Sequence, residues 1–292
     1  MPSPSRGGES VTLRQPRAPL AAGWALRRIG ELLDQTPLAP GPKLPPEQSD
    51  PLPPRRLRAR AGAGGRWEYF EGGRQAASEL AAGLGAAQRS PSELRAVLDF
   101  GCGVGRVLPH FAALAPRSAC AGCDVDQSAV AWASTHRPGI DWAPSSFAPP
   151  LPYQSDRFDL VYSISVFSHL GSELQAQWLR ELARVLAPGG VALLSVHGPH
   201  AFDAFRAGTA RTAWCPREVF VREPLRASDF VFVPYLRSVW NAGELPSVGR
   251  EYGLAFHGPE YIRSAWGREL RVVDVLARAL TGWQDLVVCM KR

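Results

Sequence analysis

"VLDFGCGVGR", Val97–Arg106, decides how the rest of the chain is read. An apolar stretch ends in the carboxylate of Asp99, and glycines follow at 101, 103 and 105. A glycine-rich turn between a strand and a helix ordinarily cradles a phosphate. A carboxylate at the mouth of that turn repels one. The ligand expected here therefore carries no phosphate at this end.

The stretch has the context that gives such a turn meaning. "AVLDFG" reads as a short buried strand and "GRVLPHFAALA" as the helix after it. "SACAGCDVD" reads as a second strand ending at Asp124, the place where a strand–helix–strand unit presents a carboxylate to ribose hydroxyls. "QSAVAWASTHR" is the next helix, followed by strands in "GIDWAPSS" and "RFDLVYSIS". "SELQAQWLRELARVLAPGG" is an amphipathic helix ended by Pro-Gly-Gly, and "VALLSVHG" is a fifth strand. Repeated strand–helix units imply a doubly wound α/β fold, a mostly parallel sheet of about seven strands with helices on both faces. "LRVVDVLARAL" and "WQDLVVCMKR" close the chain as two strands, so an antiparallel hairpin is expected at one side of the sheet. A ribose-bearing ligand with an ammonium and a sulfonium, and no phosphate, suits Asp124 and Asp99 together; S-adenosylmethionine has these features.

Charge separates the chain into two parts. The formal net charge is +6, and residues 1–66 hold 11 Lys+Arg against 5 Asp+Glu, which leaves the remainder with 22 of each. A neutral remainder gives no footprint for a polyphosphate partner. Residues 1–54 read as a Pro- and Arg-rich arm without a core of its own, with one short amphipathic stretch at Leu20–Gln35 and an extended linker at Pro37–Pro54. Residues 55–292 read as the folded domain, its leading helix expected at Gly73–Ala87 and an aromatic-rich insertion at about 199–253. That insertion holds Phe202, Phe205, Trp214, Phe220, Phe230, Phe232, Tyr235 and Trp240, residues able to form a small core or to cover a site. No apolar run approaches the roughly 20 residues of a membrane span, and no secretory pattern opens the chain. Of five cysteines, Cys120 and Cys123 form a lone C-x-x-C; a zinc site needs a second pair, so both are expected as small buried residues. An odd count without a secretion signal fits a cytoplasmic, reducing location.

The chain resembles the class I S-adenosylmethionine-dependent methyltransferases. "VLDFGCGVGR" looks like their first motif and "GCDVDQSAV" like their ribose-binding second. "PPLPYQSDRFDLVYSISVFSHL" (Pro149–Leu170) and "LARVLAPGGVALLSVHG" (Leu182–Gly198) resemble the later ones. The resemblance runs from about Arg56 to the C-terminus. It implies S-adenosylmethionine as the cofactor, with Gly101, Gly103 and Gly105 in the turn and Asp99 toward the amino group. It implies Asp124 on the ribose, Val125 against the adenine, Ser163 near the methionyl moiety, and Arg74 as a partner for the cofactor carboxylate. Where relatives carry an acidic residue that reads the adenine, this chain has Ser145, Ser146 and Phe147; Ser146 and the Phe147 ring are expected to take that place.

His169, His197 and His200 follow the fourth and fifth strands, at the sheet edge where open α/β folds bind ligands, and are the candidate bases. Some relatives bind a divalent ion through carboxylates around the position of His169. Ser165 and Ser168 stand there in this chain, so no metal is expected. The expected reaction is methyl transfer, by preference to an oxygen, on a small-molecule or glycan-type acceptor. The alternatives are a macromolecule methyltransferase docking through the basic arm and a cofactor-binding module without turnover.

Overall fold

The computed structural model describes residues 11–12, 51–60, 65–210, 223–235 and 251–292. The Leu20–Gln35 stretch, most of the Pro-rich linker, and Trp214, Phe220 and Trp240 of the insertion lie outside them.

Two sheets form. Strand β1 is Val11–Thr12. Helix α1 (Arg55–Arg60) and helix α2 (Arg66–Gly83) then lead to β2 (Ala96–Phe100). Alternation runs on through α3 (Leu108–Leu114), β3 (Ala119–Asp124), α4 (Gln127–His136), β4 (Asp141–Pro144), β5 (Phe158–Ser163), α5 (Ser172–Val185) and β6 (Leu186–Val196). Helix α6 (Pro199–Arg206), β7 (Phe230–Pro234), β8 (Gly253–His257), α7 (Pro259–Ala265), β9 (Arg271–Leu280) and β10 (Gln284–Met290) complete the order. The seven-stranded sheet has the order β4-β3-β2-β5-β6-β10-β9. Its first five strands are parallel, and β10 enters antiparallel between β6 and β9. The expected Rossmann-like architecture and its closing hairpin are thus present.

Side chains alternate across the central strands and feed two cores. Leu98, Phe100 and Val161 face Trp178 and Leu182 of α5 and Ile262 of α7. Val97, Leu160 and Tyr162 face Ala76 and Leu80 of α2 and Phe111 of α3. Cys120 and Cys123 are buried free thiols within β3, as the lone C-x-x-C implied. Among the described residues no helix is long and apolar enough to cross a membrane.

Three local expectations differ. Helix α2 starts at Arg66 rather than Gly73, and Leu84–Ala87 continue it as a 3₁₀ turn. Gly72 and Gly73 do not break the helix, because a Cβ on Gly73 would collide with the Arg106 carbonyl; glycine here permits close approach of the next segment. Helix α5 ends at Val185, and Leu186 to Gly190 already belong to β6. The insertion extends past its expected end. Its helix α6 and strands β7 and β8 bury Ala201, Phe202, Val233, Leu254 and Phe256 in a core of their own. The second sheet has the order β1-β7-β8, with β8 reaching His257, past the expected end at 253.

Candidate active site

The site is assembled at the carboxyl ends of the parallel strands. The β2 register sets Asp99 beside Tyr162 of β5, and the Tyr162 hydroxyl donates to Asp99 Oδ2 at 2.9 Å. Asp99 is 4% exposed. Burial raises its pKa to about 7, against the lowering effect of the Tyr162 hydrogen bond, with Asp124 adding to the rise and Arg106 opposing it.

The turn that follows is left-handed at all three glycines, with φ of +83°, +52° and +66° at Gly101, Gly103 and Gly105. Two of them have identifiable neighbours. A Cβ on Gly101 would strike Val166, and one on Gly105 would strike the Trp142 ring. Gly103 has open space where its Cβ would be, and with Gly101 it faces the cavity. Gly105 therefore serves the packing of the turn against β4.

The two carboxylates of "DVD" divide their work. Asp126 caps α4, accepting from the backbone N–H of Ser128 at 3.1 Å and of Ala129 at 3.2 Å. Asp124 accepts from the Gly103 N–H at 2.7 Å through Oδ2 and from the Asp126 N–H at 2.8 Å through Oδ1. This ties the glycine turn to the end of β3 and leaves the carboxylate on the cavity wall.

A cavity of about 370 Å³ runs along these residues. The residues of the β2 turn, Asp99, Gly101, Gly103 and Arg106, are flanked by Asp124 and Val125 after β3 and by Ser165, Val166, His169 and Leu170 after β5, and Ser146, Phe147 and Tyr252 complete the wall. Its size lies at the lower end of the range for small-ligand pockets.

The structure corrects four of the expected site residues. Arg74 points away from the cavity and pairs with Glu71 at the surface, its side chain 65% exposed. It lies on the face of α2 opposite Gly73, Ala76 and Leu80, which are buried. Arg106, at the end of the glycine turn, is the guanidinium on the cavity wall, and burial lowers its pKa while Asp99 opposes that. Ser163 is fully buried with no hydrogen-bond partner for its hydroxyl, and the wall begins one residue later at Ile164. His197 is 5% exposed and off the wall, because β8 lies along the end of β6: His197 bridges Phe256, and its carbonyl accepts from the His257 N–H at 2.8 Å. Burial drives its pKa well below the usual histidine value, with His169 and His257 adding to the effect. His200 is exposed on α6 and packs edge-on to Trp283.

His169 stays in place. Its Nδ1 lies 2.8 Å from the Gly253 carbonyl and 2.9 Å from the Tyr235 hydroxyl. A carbonyl can only accept, so Nδ1 carries the proton and Nε2 keeps its lone pair. Burial holds the pKa of His169 below the usual value, partly offset by the Gly253 carbonyl. Tyr252 packs against its ring at 5.4 Å between centroids, tilted 32°.

Ser165 and Ser168 hydrogen-bond with Gln284 instead of facing each other across a metal site. Among the described residues no group of three His, Cys, Asp or Glu side chains is arranged to hold a metal ion.

The model of a methyltransferase domain family matches residues 97–190, which supply most of the cavity wall. That stretch is a methyltransferase domain of the class I S-adenosylmethionine-dependent kind. A protein of Mycolicibacterium smegmatis named a probable S-adenosylmethionine-dependent methyltransferase is 38% identical to the domain's region over 101 residues, 35% of this chain and 37% of that protein. The tRNA (carboxymethyluridine(34)-5-O)-methyltransferase of Arabidopsis thaliana is 31% identical over 121 residues, 41% of this chain and 27% of that enzyme. The chain thus spans about a third of the length of these relatives. The crystal structure of Streptomyces venezuelae DesVI covers 81% of this chain with 98% of its own length, at a TM-score of 0.52 and 19% identity, a likeness of fold.

Sequence reasoning missed Arg106, Tyr235 and Tyr252. Arg106 is the last letter of the opening motif and was visible. The tyrosines reach His169 only through the second sheet, which no local pattern reveals.

Proposed function

We propose that the chain is a cytoplasmic S-adenosylmethionine-dependent methyltransferase that methylates an oxygen of a small-molecule acceptor. Residues 55–292 form the catalytic unit, the insertion from 199 covers the acceptor, and of the arm over residues 1–54, Val11–Thr12 joins the insertion's sheet beside β7. Four buried free thiols, Cys102, Cys120, Cys123 and Cys289, suit a reducing compartment.

The observation that carries the reading is one cavity lined by the carboxylates of Asp99 and Asp124 from the β2 and β3 ends and by a neutral, Nδ1-protonated His169 from the β5 end. Asp124 takes the ribose hydroxyls, Val125 and Phe147 lie against the adenine, and Ser146 offers it a hydroxyl. Asp99 holds the ammonium, and Arg106, in place of Arg74, holds the carboxylate. Bound S-adenosylmethionine supplies a methyl group activated by its sulfonium. His169 Nε2 takes the proton that the acceptor hydroxyl gives up. The cavity walls hold the acceptor in line and exclude water.

The test is transfer of a labelled methyl group into a cell extract separated into small-molecule and RNA fractions. Label is expected in the small-molecule fraction, as an alkali-stable ether. Label in RNA overturns the reading in favour of a second one, a nucleic-acid acceptor, which is supported by similarity to the Arabidopsis tRNA methyltransferase and by the basic residues 1–66. No label in either fraction from cofactor-loaded protein overturns catalysis altogether. Because Ser165 and Ser168 are poor metal ligands, transfer is also expected to survive dialysis against EDTA. Loss that added magnesium or zinc restores would count against His169 as the sole activator.

Asp99 makes cofactor binding pH-dependent. Its pKa is raised above the ordinary carboxylate value to about 7, so the stability it contributes is full at low pH and is lost as pH rises from about 4 through about 7. The ammonium of the cofactor favours the ionised form, so binding expels a proton in that window. S-adenosylhomocysteine affinity is expected to rise about tenfold or more from pH 5.5 to pH 8, and Asp99→Asn to flatten the dependence. Calorimetry in two buffers of different ionisation enthalpy counts the proton. A flat profile in the parent chain would remove Asp99 from the ammonium site.

A further inference from the structure

Resting on the methyltransferase reading, we infer that the acceptor is a planar aromatic compound bearing an uncharged hydroxyl, held against Tyr252 beside His169. The charged side chains that line the cavity, Asp99, Arg106, Asp124 and Asp126, all come from the β2 and β3 ends. From Phe147 through Ser165 to Tyr252, no described residue of the wall is charged at neutral pH, since His169 is held below its usual pKa. A phosphorylated acceptor would bring its charge to this end with no cation among the described residues to meet it, and burying an unpaired charge is costly.

What this end offers instead is a set of rings. Tyr252 leans on His169 at 5.4 Å, Tyr235 stands 5.5 Å from Tyr252, and Phe147 meets Tyr252 edge-on at 6.3 Å. The backbone holds the two tyrosines together, the Tyr235 N–H donating to the Tyr252 carbonyl at 3.1 Å. Rings at these spacings prefer an offset or edge-on aromatic partner, a gain beyond the area they bury. The polar features beside them are the hydroxyls of Tyr235 and Tyr252, the Ser165 hydroxyl, already donating to Gln284, and His169 Nε2, an acceptor by the tautomer that Gly253 imposes. To His169 Nε2 an acceptor must bring the donor. A ring hydroxyl supplies flat apolar area and one O–H together. A protonated amine has no carboxylate among the described residues contributed by the β5 and β8 ends to pair with.

Calorimetry on the full chain saturated with S-adenosylhomocysteine tests this, with 2-naphthol, decahydro-2-naphthol and 2-naphthyl phosphate as probes. The first is expected to bind, the saturated alcohol to bind about tenfold more weakly, and the phosphate to give no measurable heat. Tyr252→Leu is expected to weaken 2-naphthol about tenfold, and Tyr252→Phe, which keeps the ring, to bind it within twofold of the parent chain. Tyr252→Leu should leave S-adenosylhomocysteine affinity within twofold. The inference is overturned if the phosphate binds as well as 2-naphthol, if the saturated alcohol binds equally, or if none of the three binds. Failure of S-adenosylhomocysteine itself to bind overturns the methyltransferase reading instead.

Discussion

Asp124→Ala is expected to bind S-adenosylhomocysteine about a hundredfold more weakly than the parent chain. Both carboxylate oxygens hold a backbone N–H, from Gly103 and from Asp126, and a carboxylate oxygen can accept a further hydrogen bond from a ribose hydroxyl. Charge-assisted hydrogen bonds of this kind contribute about 1.5–3 kcal/mol each. Losing two removes about 3 kcal/mol at the lower bound, which is the hundredfold. The alanine variant also unties Gly103, so it should lose about 1 kcal/mol of stability. Asp124→Asn separates the two effects. It keeps the side-chain shape and one acceptor oxygen, and so retains one of the two backbone N–H bonds while losing the charge that strengthens the ribose pair. Unchanged affinity in both variants would remove Asp124 from the ribose. Tighter binding of a nicotinamide dinucleotide than of S-adenosylhomocysteine would remove the cofactor as well.

The cofactor end was legible because its parts are local. Asp99, the glycines and Asp124 sit within one strand–turn–helix–strand unit, and the fold that brings them together is the fold their own pattern specifies. His169 was legible for the same reason, following β5 directly. Arg74 and Arg106 show where local reading stops. Both lie near the turn, and which one faces the cavity depends on the phase of α2, whose start was misplaced because Gly72-Gly73 reads as a breaker. In the structure that pair lets α2 cross close to the segment at Arg106, and the crossing turns Arg74 outward. His197 and His200 failed for a different reason. Their place at the end of β6 is right, but β8 comes back along that end after a long excursion and buries one of them while α6 carries the other to the surface. Tyr235 and Tyr252 meet His169 through that same non-local pairing.

The insertion consequently has two functions that one deletion cannot separate. Phe202, Val233 and Phe256 pack as a core, so its removal exposes apolar area and lets β8 leave the end of β6. Tyr235, Tyr252 and the Gly253 carbonyl reach the site. Single substitutions at these contacts are therefore the informative ones.

His169→Gln is expected to lower the methyl-transfer rate at saturating cofactor by about a hundredfold or more, the scale of a lost general base. Glutamine is of similar size and its amide can still donate toward the Gly253 carbonyl, so the second sheet should stay seated and S-adenosylhomocysteine affinity should change little. The acceptor recovered in the label-transfer assay serves as substrate. The parent chain should also show an acid limb that the variant lacks. His169 must be neutral to act, and burial holds its pKa below 6.5. The rate should accordingly be flat around pH 7 and fall only as pH drops below 6.5. On the proposed role of Asp99, cofactor binding is expected to weaken in an overlapping range, from about 7 downward. Measuring at saturating cofactor keeps that effect out of the rate and leaves the limb to His169. A variant that transfers methyl groups at the parent rate would mean that alignment of acceptor and cofactor alone carries the reaction. The ring at 169 would then be a structural pin between Gly253 and Tyr235.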